Sequence, residues 1–210
     1  MKKIGVTGGI GSGKSIVCRV FSLLGIPVYE ADERAKWLTQ HDPILQAEII
    51  RLLGREAYDQ LGNYNRAYVA AQVFSNPDRL AALNALIHPR VFADTARWVQ
   101  QQSAPYVLKE AALMRAAGDQ NDLDAVVVVT APLDLRVQRI RQRDPQRSET
   151  EIRAIIDRQI SDEARLQLAD YVIENDETKL LIPQILQLDE QFRQCSSLCC
   201  GYCIPLNLKS

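Results

Sequence analysis

Residues 8–15 read GGIGSGKS, and this stretch constrains the fold of the chain more than any other. It matches G-x-x-x-x-G-K-[ST], the pattern of a phosphate-binding loop, or P-loop. Glycine reaches backbone conformations that are closed to other residues, so successive N–H groups can turn towards one anion. The loop needs a strand before it and a helix after it. Residues 2–7 are rich in β-branched side chains and predict the strand, while apolar side chains recur at helical spacing from Lys14 until Gly25.

The parts of the P-loop predict separate roles towards a nucleoside triphosphate and its Mg²⁺. The helix that begins at Lys14 directs the positive end of its dipole at the phosphates. Lys14 would reach the β- and γ-phosphates, and the hydroxyl of Ser15 would bind Mg²⁺. The residues predicted to contact the nucleotide are Gly9, Ile10, Gly11, Ser12, Gly13, Lys14 and Ser15.

A carboxylate follows the second predicted strand, in the stretch VYEADERAK. A strand, a helix and a second strand at this spacing form a parallel βαβ unit, whose strands end at the same edge of the sheet. Asp32 is therefore expected beside the γ-phosphate, where it could orient and deprotonate an attacking hydroxyl. The alternative is that Asp32 is the N-cap of the helix that follows.

Four arginines lie close together in RVQRIRQRD, at positions 136, 139, 141 and 143. Arg139 and Arg143 are one turn apart and share a helix face. Arginines on a mobile helical hairpin can close over the phosphates as a lid and stabilise charge during transfer. The alternative is a basic face that is simply exposed to solvent.

The order of the remaining patterns predicts one α/β domain over residues 1–194. Further strands are predicted in PYVLKEAAL, LDAVVVVTAP and DYVIEND, with a closing helix in KLLIPQILQLDEQF. We expect a P-loop core with a parallel sheet, a helical insert over about 33–102 and a helical lid over about 136–165. The stretch SETEIRAIIDRQISDEARLQLA, residues 148–169, continues in helical register. Residues 195–210 form a cysteine-rich tail of no predicted role, and Cys18 is expected to be a small buried apolar residue.

Composition excludes several classes of partner. The formal net charge is −1, so the overall balance does not favour nucleic acid or an anionic membrane surface. No apolar run approaches the roughly 20 residues that span a bilayer. The apolar stretch near the N-terminus is too short for a signal peptide, which predicts a cytoplasmic location. The oligomeric state is not predicted.

Together these residues resemble the dephospho-coenzyme A (dephospho-CoA) kinase family, from about Lys3 to Phe192. The stretch IHPRV within the insert is the most distinctive, because generic nucleotide kinases lack it. The stretches that carry the resemblance are TGGIGSGKS, GIPVYEADERAK, NRAYVAAQVF, LNALIHPRV, YVLKEAAL, RQRD, DRQ and ADYVIEND.

The resemblance implies a reaction and roles for named residues. The reaction is ATP plus dephospho-CoA giving ADP plus CoA, with Mg²⁺, on a P-loop core with a CoA-binding insert and a lid. Asp32 would be the catalytic base beside the acceptor, and Arg139 and Arg143 would be lid arginines that act with the P-loop lysine. Asn175 would lie near the adenine of ATP. His88 would lie near the acceptor, or alternatively would end a helix before Pro89.

The chain also departs from the family pattern, which keeps other functions open. The family usually has aspartate where Glu30 stands, and it ends the third strand region with an apolar residue and a glutamate where Arg115 and Ala116 stand. The alternatives are a P-loop kinase for another nucleoside or nucleotide acceptor, and an ATP-binding pseudoenzyme. A GTPase is disfavoured, because no N-K-x-D stretch is present.

Overall fold

The computed structural model describes residues 1–74, 76–112, 114 and 121–194. Within this part of the chain, five parallel strands form one sheet in the order β2-β3-β1-β4-β5. The predicted α/β fold with a parallel sheet is therefore confirmed. The strands are β1 (Lys2–Gly8), β2 (Val28–Glu30), β3 (Tyr106–Glu110), β4 (Ala125–Thr130) and β5 (Tyr171–Glu174).

The helices of the described residues follow the predicted order. Helix α1 begins at Lys14, as predicted, and Gly25 lies just past its end with φ of 84°. The helices are α1 (Lys14–Leu23), α2 (Ala31–His41), α3 (Pro43–Leu53), α4 (Arg66–Phe74), α5 (Pro77–Gln100), α6 (Leu133–Arg143), α7 (Glu149–Asp157), α8 (Asp162–Leu166) and α9 (Leu181–Gln194), with a 3₁₀ turn at Arg55–Ala57.

The prediction of continuous helical register over residues 148–169 is wrong. The structure has two helices there, α7 and α8, with a break between them. The side chain of Ser161 accepts a hydrogen bond from the backbone of Ala164 and caps α8. A serine that bonds the backbone in this way starts a new helix instead of extending the old one.

The interior strand β4 accounts for the long apolar run in the sequence. It lies between β1 and β5, and residues 125–129 are all buried. A parallel strand covered on both faces needs apolar side chains at every position, in contrast to an alternating edge strand. Helices α1 and α9 cover one face of the sheet through Val17, Phe21, Ile185 and Phe192.

Helices α2 to α5 occupy the range predicted for the insert and have a separate core. The insert begins at Ala31, directly after β2, so that α2 starts beside the P-loop edge of the sheet. The buried side chains of the insert core are Leu38, Leu45, Ile49, Leu53, Ala57, Tyr58, Val69 and Leu83. No helix of the described residues combines the length and apolar character needed to cross a bilayer.

A partly buried ion pair joins two helices of the insert, and a tyrosine hydroxyl connects it to the sheet. Asp94 of α5 accepts two hydrogen bonds from Arg34 of α2, both at 2.8 Å, and one from the Tyr29 hydroxyl of β2 at 2.7 Å. The hydrogen bonds from Arg34 hold the pKa of Asp94 below its ordinary value, against the opposing effect of burial. Burial raises the pKa of Tyr29 to about 12, so its hydroxyl remains a donor.

Asp94→Asn should lower the free energy of unfolding by about 2 kcal/mol at neutral pH, because the partly exposed Arg34 and the buried Tyr29 lose a charged acceptor. The pKa of Asp94 is lower in the folded protein than in the unfolded one. The stabilisation is therefore present above the unfolded pKa of roughly 3.9 and is lost as pH falls through the folded pKa. Chemical denaturation at pH 7 and at successively lower pH measures both effects.

Arg97→Gln is the matched control, because Arg97 approaches the same carboxylate at 3.8 Å but is 72% exposed. An exposed partner of this kind contributes less than about 1 kcal/mol. Equal losses in the two variants, or a pH-independent loss in Asp94→Asn, would contradict the assignment.

Candidate active site

The P-loop lies at the carboxyl edge of the sheet, between the end of β1 and the start of α1. Gly11 and Gly13 have φ of 81° and 93°, in the region that favours glycine. A Cβ atom on Gly13 would clash with Nδ2 of Asn175. Glycine at this position therefore serves both the turn and the close approach of a neighbouring side chain.

Asn175 fastens the P-loop to the end of β5. Its Nδ2 donates to the carbonyl of Ser12 at 2.8 Å, and its backbone N–H donates to Thr130 at 2.9 Å. Its Oδ1 accepts from Arg139 at 3.3 Å. The structure thus places this predicted site residue against the loop, where it contacts the backbone directly.

Arg136 is a site residue that sequence analysis did not select. Its side chain is 2% exposed, and its Nε donates to the carbonyl of Ile10 at 2.9 Å. Its Nη1 binds both carboxylate oxygens of Asp162, at 2.8 and 3.0 Å. A signal was present, because Arg136 falls in the buried stripe of α6 with Val137 and Ile140. It lies in the range predicted for the lid, yet it is fixed beneath the P-loop.

The segment between α7 and α8 also contacts the P-loop directly. The Oε1 of Gln159 accepts a hydrogen bond from the backbone N–H of Ile10 at 3.0 Å. Together with the pair between Arg136 and Asp162, this contact connects the predicted lid region to the loop at two points. A change in the position of α8 would therefore alter the position of the P-loop backbone.

Lys14 and Ser15 occupy the first turn of α1, as the P-loop pattern requires. Lys14 Nζ forms an ion pair with the carboxylate of Glu110, at the end of β3. The side chains of Lys14 and Glu110 are 16% and 12% exposed. Ser15 is exposed at the start of the helix. Sequence patterns do not identify Glu110 as a site residue, because its partner Lys14 is distant along the chain.

Asp32 is the second residue of α2, at the edge of the sheet where β3 ends. Its Oδ2 accepts a hydrogen bond from the backbone N–H of Ala112, at 3.3 Å, and the side chain is exposed. The alternative that Asp32 is the N-cap is wrong: Glu30 occupies the N-cap position, and it makes no capping hydrogen bond through its side chain. Asp32 is therefore available for a role outside the helix.

The two predicted lid arginines have different surroundings on α6. Arg139 is 23% exposed and binds Asn175 and Glu177 through Nη2, whereas its buried Nη1 has no hydrogen-bond partner among the described residues. Arg143 is 61% exposed and pairs with the adjacent Asp144 at 2.9 Å. The structure brings Arg139 to the P-loop region and leaves Arg143 at the last residue of the helix.

His88 is exposed on α5, next to a proline that does not end the helix. Pro89 lies inside α5, which continues to Gln100, so the alternative of a helix-terminal histidine is wrong. The insert also has a cavity of about 730 Å³, lined by Arg34, Trp37, Arg90 and Trp98 among others. Arg34 is two residues after Asp32 on α2 and points to nearly the opposite side of the helix, so this cavity is not the P-loop pocket.

Two predicted features lie outside the described residues. These are Arg115 and Ala116, where the chain departs from the family pattern, and the cysteine-rich tail from residue 195 onwards. Cys18, in contrast, is buried in α1 as predicted.

Both the sequence and the fold of the chain are similar to those of known proteins. A protein-family model described as dephospho-CoA kinase matches residues 2–180. The dephospho-CoA kinase of Bacteroides fragilis is 38% identical over 187 residues, which are 89% of this chain and 90% of that protein. The crystal structure of TT1252 from Thermus thermophilus has a TM-score of 0.77 at 31% identity, over 94% of this chain and 98% of that one. The dephospho-CoA kinase of Campylobacter jejuni, at 24% identity, has a TM-score of 0.67 over 93% and 99%, which supports the fold.

Proposed function

Because the chain belongs to the dephospho-CoA kinase family, we propose that its P-loop and Asp32 transfer the γ-phosphoryl group of ATP to the 3′-hydroxyl of dephospho-CoA. The products are ADP and CoA, and the reaction is the last step of CoA biosynthesis. The observation that carries the proposal is the family match over residues 2–180, which includes both the P-loop and the insert. The cytoplasm is the proposed location, because both substrates are soluble phosphorylated metabolites.

Proton transfer is assigned to Asp32. During the reaction the ribose oxygen forms a bond to the γ-phosphorus, while the bond from that phosphorus to the β–γ bridging oxygen breaks. The proton of the hydroxyl passes to the Asp32 carboxylate, which is exposed at the same sheet edge as Lys14. His88 and the insert are proposed to hold the acceptor.

Positively charged side chains are proposed to stabilise the negative charge on the phosphates. Lys14 would bind the β- and γ-phosphates from the first turn of α1, where the helix dipole adds to its effect. Arg139 would direct its Nη1 to the transferring group, because that donor has no partner among the described residues. Asn175 holds the loop backbone through Ser12, and Arg143 is proposed to act when the helices close over ATP.

Mg²⁺ fits the oxygen donors at this edge. The described residues include no group of three or more His, Cys, Asp or Glu side chains that could hold a metal ion by themselves. Mg²⁺ usually takes only one or two protein ligands and completes its shell with phosphate oxygens and water. The exposed hydroxyl of Ser15 suits this arrangement and would hold the ion, which when bound neutralises charge on the phosphates.

The purified full chain should release ADP only when ATP, Mg²⁺ and dephospho-CoA are all present. A coupled assay for ADP, with mass spectrometry to identify CoA, measures the reaction. Adenosine and AMP, supplied as other acceptors, should react far more slowly, because the insert would be left largely unfilled. Faster turnover with either of them, or ADP release that is independent of acceptor, would contradict the proposal.

A further inference from the structure

Glu110 lies at the carboxyl edge of the sheet, between the strands that lead to the P-loop and to Asp32. It is the last residue of β3, in register with Val6 of β1 on one side and Glu30 of β2 on the other. The backbone on both sides of it is held by neighbouring strands, and the next residue, Ala111, donates to the carbonyl of Val6 at 3.2 Å. The carboxylate therefore projects from a rigid element into the P-loop region.

Two side chains of α1 converge on this carboxylate. Lys14 forms an ion pair with it, and the Cys18 thiol interacts with it one helical turn further along. Residues four apart on a helix lie on the same face, so both can reach one group. Burial, with the nearby Glu110 charge as a second cause, raises the pKa of the Cys18 thiol far above its ordinary value. The thiol thus stays protonated beside Glu110 and leaves Lys14 as the ion-pair partner of this carboxylate.

We propose that Glu110 is a positioning residue for Lys14, which holds the lysine ammonium at the sheet edge and competes with the ATP phosphates for its charge. This inference rests on the proposed function of the P-loop. It adds a residue from β3 to a site whose other predicted members follow β1, β2 and β5 or lie on α5 and α6.

The first physical consequence concerns the binding of ATP. The Lys14 ammonium is a single charge, and Glu110 already neutralises it with little exposure to solvent. Phosphate oxygens must share that charge with the carboxylate, and the carboxylate also repels them at short range. Removal of the Glu110 charge should therefore strengthen the binding of ATP in the ground state.

The second consequence concerns the phosphoryl transfer itself. A lysine side chain is a flexible four-carbon chain, and it loses considerable conformational entropy when it is held in one position. Glu110 restrains it from a rigid strand, so that the ammonium is already in place when charge shifts during transfer. Without Glu110, Lys14 should bind the phosphates well but stabilise the transition state less. A lower Kd together with a lower kcat is the expected combination.

Glu110→Gln tests this combination, because glutamine keeps the size of the side chain but removes its charge. Isothermal titration calorimetry with ATP and Mg²⁺, without acceptor, should give a Kd about five- to tenfold lower than that of the wild type. The rate constant kcat with dephospho-CoA should fall about tenfold. A folded variant with unchanged or weaker ATP binding would overturn the proposal.

Asp122→Asn is the matched control, since Asp122 pairs with Lys3 at 2.6 Å near the opposite end of β1. Its Kd for ATP and its kcat should equal those of the wild type. If both variants bind ATP more tightly to the same degree, the effect comes from net charge alone and the proposal fails.

A second variant keeps the test valid if Glu110→Gln does not fold. Glu110→Asp retains the charge but withdraws it from Lys14 by one methylene, so ATP should bind more tightly than to the wild type, by a smaller factor. Unchanged or weaker binding to a folded Glu110→Asp protein would overturn the proposal. In a Lys14→Gln background, Glu110→Gln should not strengthen ATP binding further, and a full additional gain would exclude action through Lys14.

The proposed function and this inference fail separately. The wild-type assay with dephospho-CoA decides the function, whereas calorimetry with ATP and Mg²⁺, without acceptor, decides the role of Glu110.

Discussion

Asp32→Asn should keep its fold and bind both substrates within a few-fold of the wild type, while turnover falls by roughly 10²- to 10⁴-fold. Asparagine preserves the size of the side chain and its bond with the Ala112 backbone, but it cannot take up a proton at neutral pH. Because Asp32 is not the N-cap of α2, the substitution removes no capping interaction. Thermal unfolding, calorimetry with each substrate and steady-state kinetics on the same preparation measure the three quantities.

Glu33→Gln provides the matched control for Asp32→Asn. Glu33 is the adjacent acidic residue in the first turn of α2, its side chain is 62% exposed, and it pairs with Lys36 on the surface. The two variants lose the same charge near the same helix end, so any general effect on the helix dipole should be shared. Turnover of Glu33→Gln should stay close to wild type. Near-normal turnover of Asp32→Asn would remove Asp32 from the mechanism.

Arg139→Ala should lower kcat by about 10³-fold with a much smaller effect on the Kd for ATP, because arginine contacts to a transferring phosphoryl group act mainly in the transition state. The buried Nη1 atom has no partner among the described residues and is the donor that we assign to this role. Part of the loss would come through Asn175, which Arg139 also holds. Rapid-quench measurement of a single turnover separates the chemical step from ATP binding.

Two other arginines of α6 provide comparisons for the expected effect of Arg139→Ala on kcat. Arg141→Ala should have nearly wild-type kcat, because its side chain is 61% exposed and pairs with Glu149 at 3.6 Å. Arg143→Ala is expected to lower kcat less than Arg139→Ala, since Arg143 pairs with Asp144 at the end of the helix. A loss of ATP affinity in Arg139→Ala with kcat unchanged would assign Arg139 to ground-state binding instead.

The sequence by itself determined those features that depend on residues close together along the chain. The start of α1 at Lys14, the turn at Gly11 and Gly13, and the buried strand β4 all follow from local dihedral preferences or from the spacing of apolar side chains. The placement of Asp32 at the edge of the sheet followed as well, because a parallel βαβ unit brings the ends of its strands together. The alternative that a helix ends at His88 was wrong, because Pro89 lies inside α5.

Only the tertiary structure decided which side chains complete the site. Glu110 meets Lys14 across 96 positions of sequence, and Arg136 meets the carbonyl of Ile10 across 126. No periodicity or motif fixes such pairs, because their geometry depends on strand register and on the packing of α6 beneath the loop. Polar groups that are buried together must satisfy one another, and this requirement acts between distant residues only after the sheet has formed. The sequence therefore predicted which loop binds phosphate, and the tertiary structure decided which charged side chains hold the groups of that loop in place.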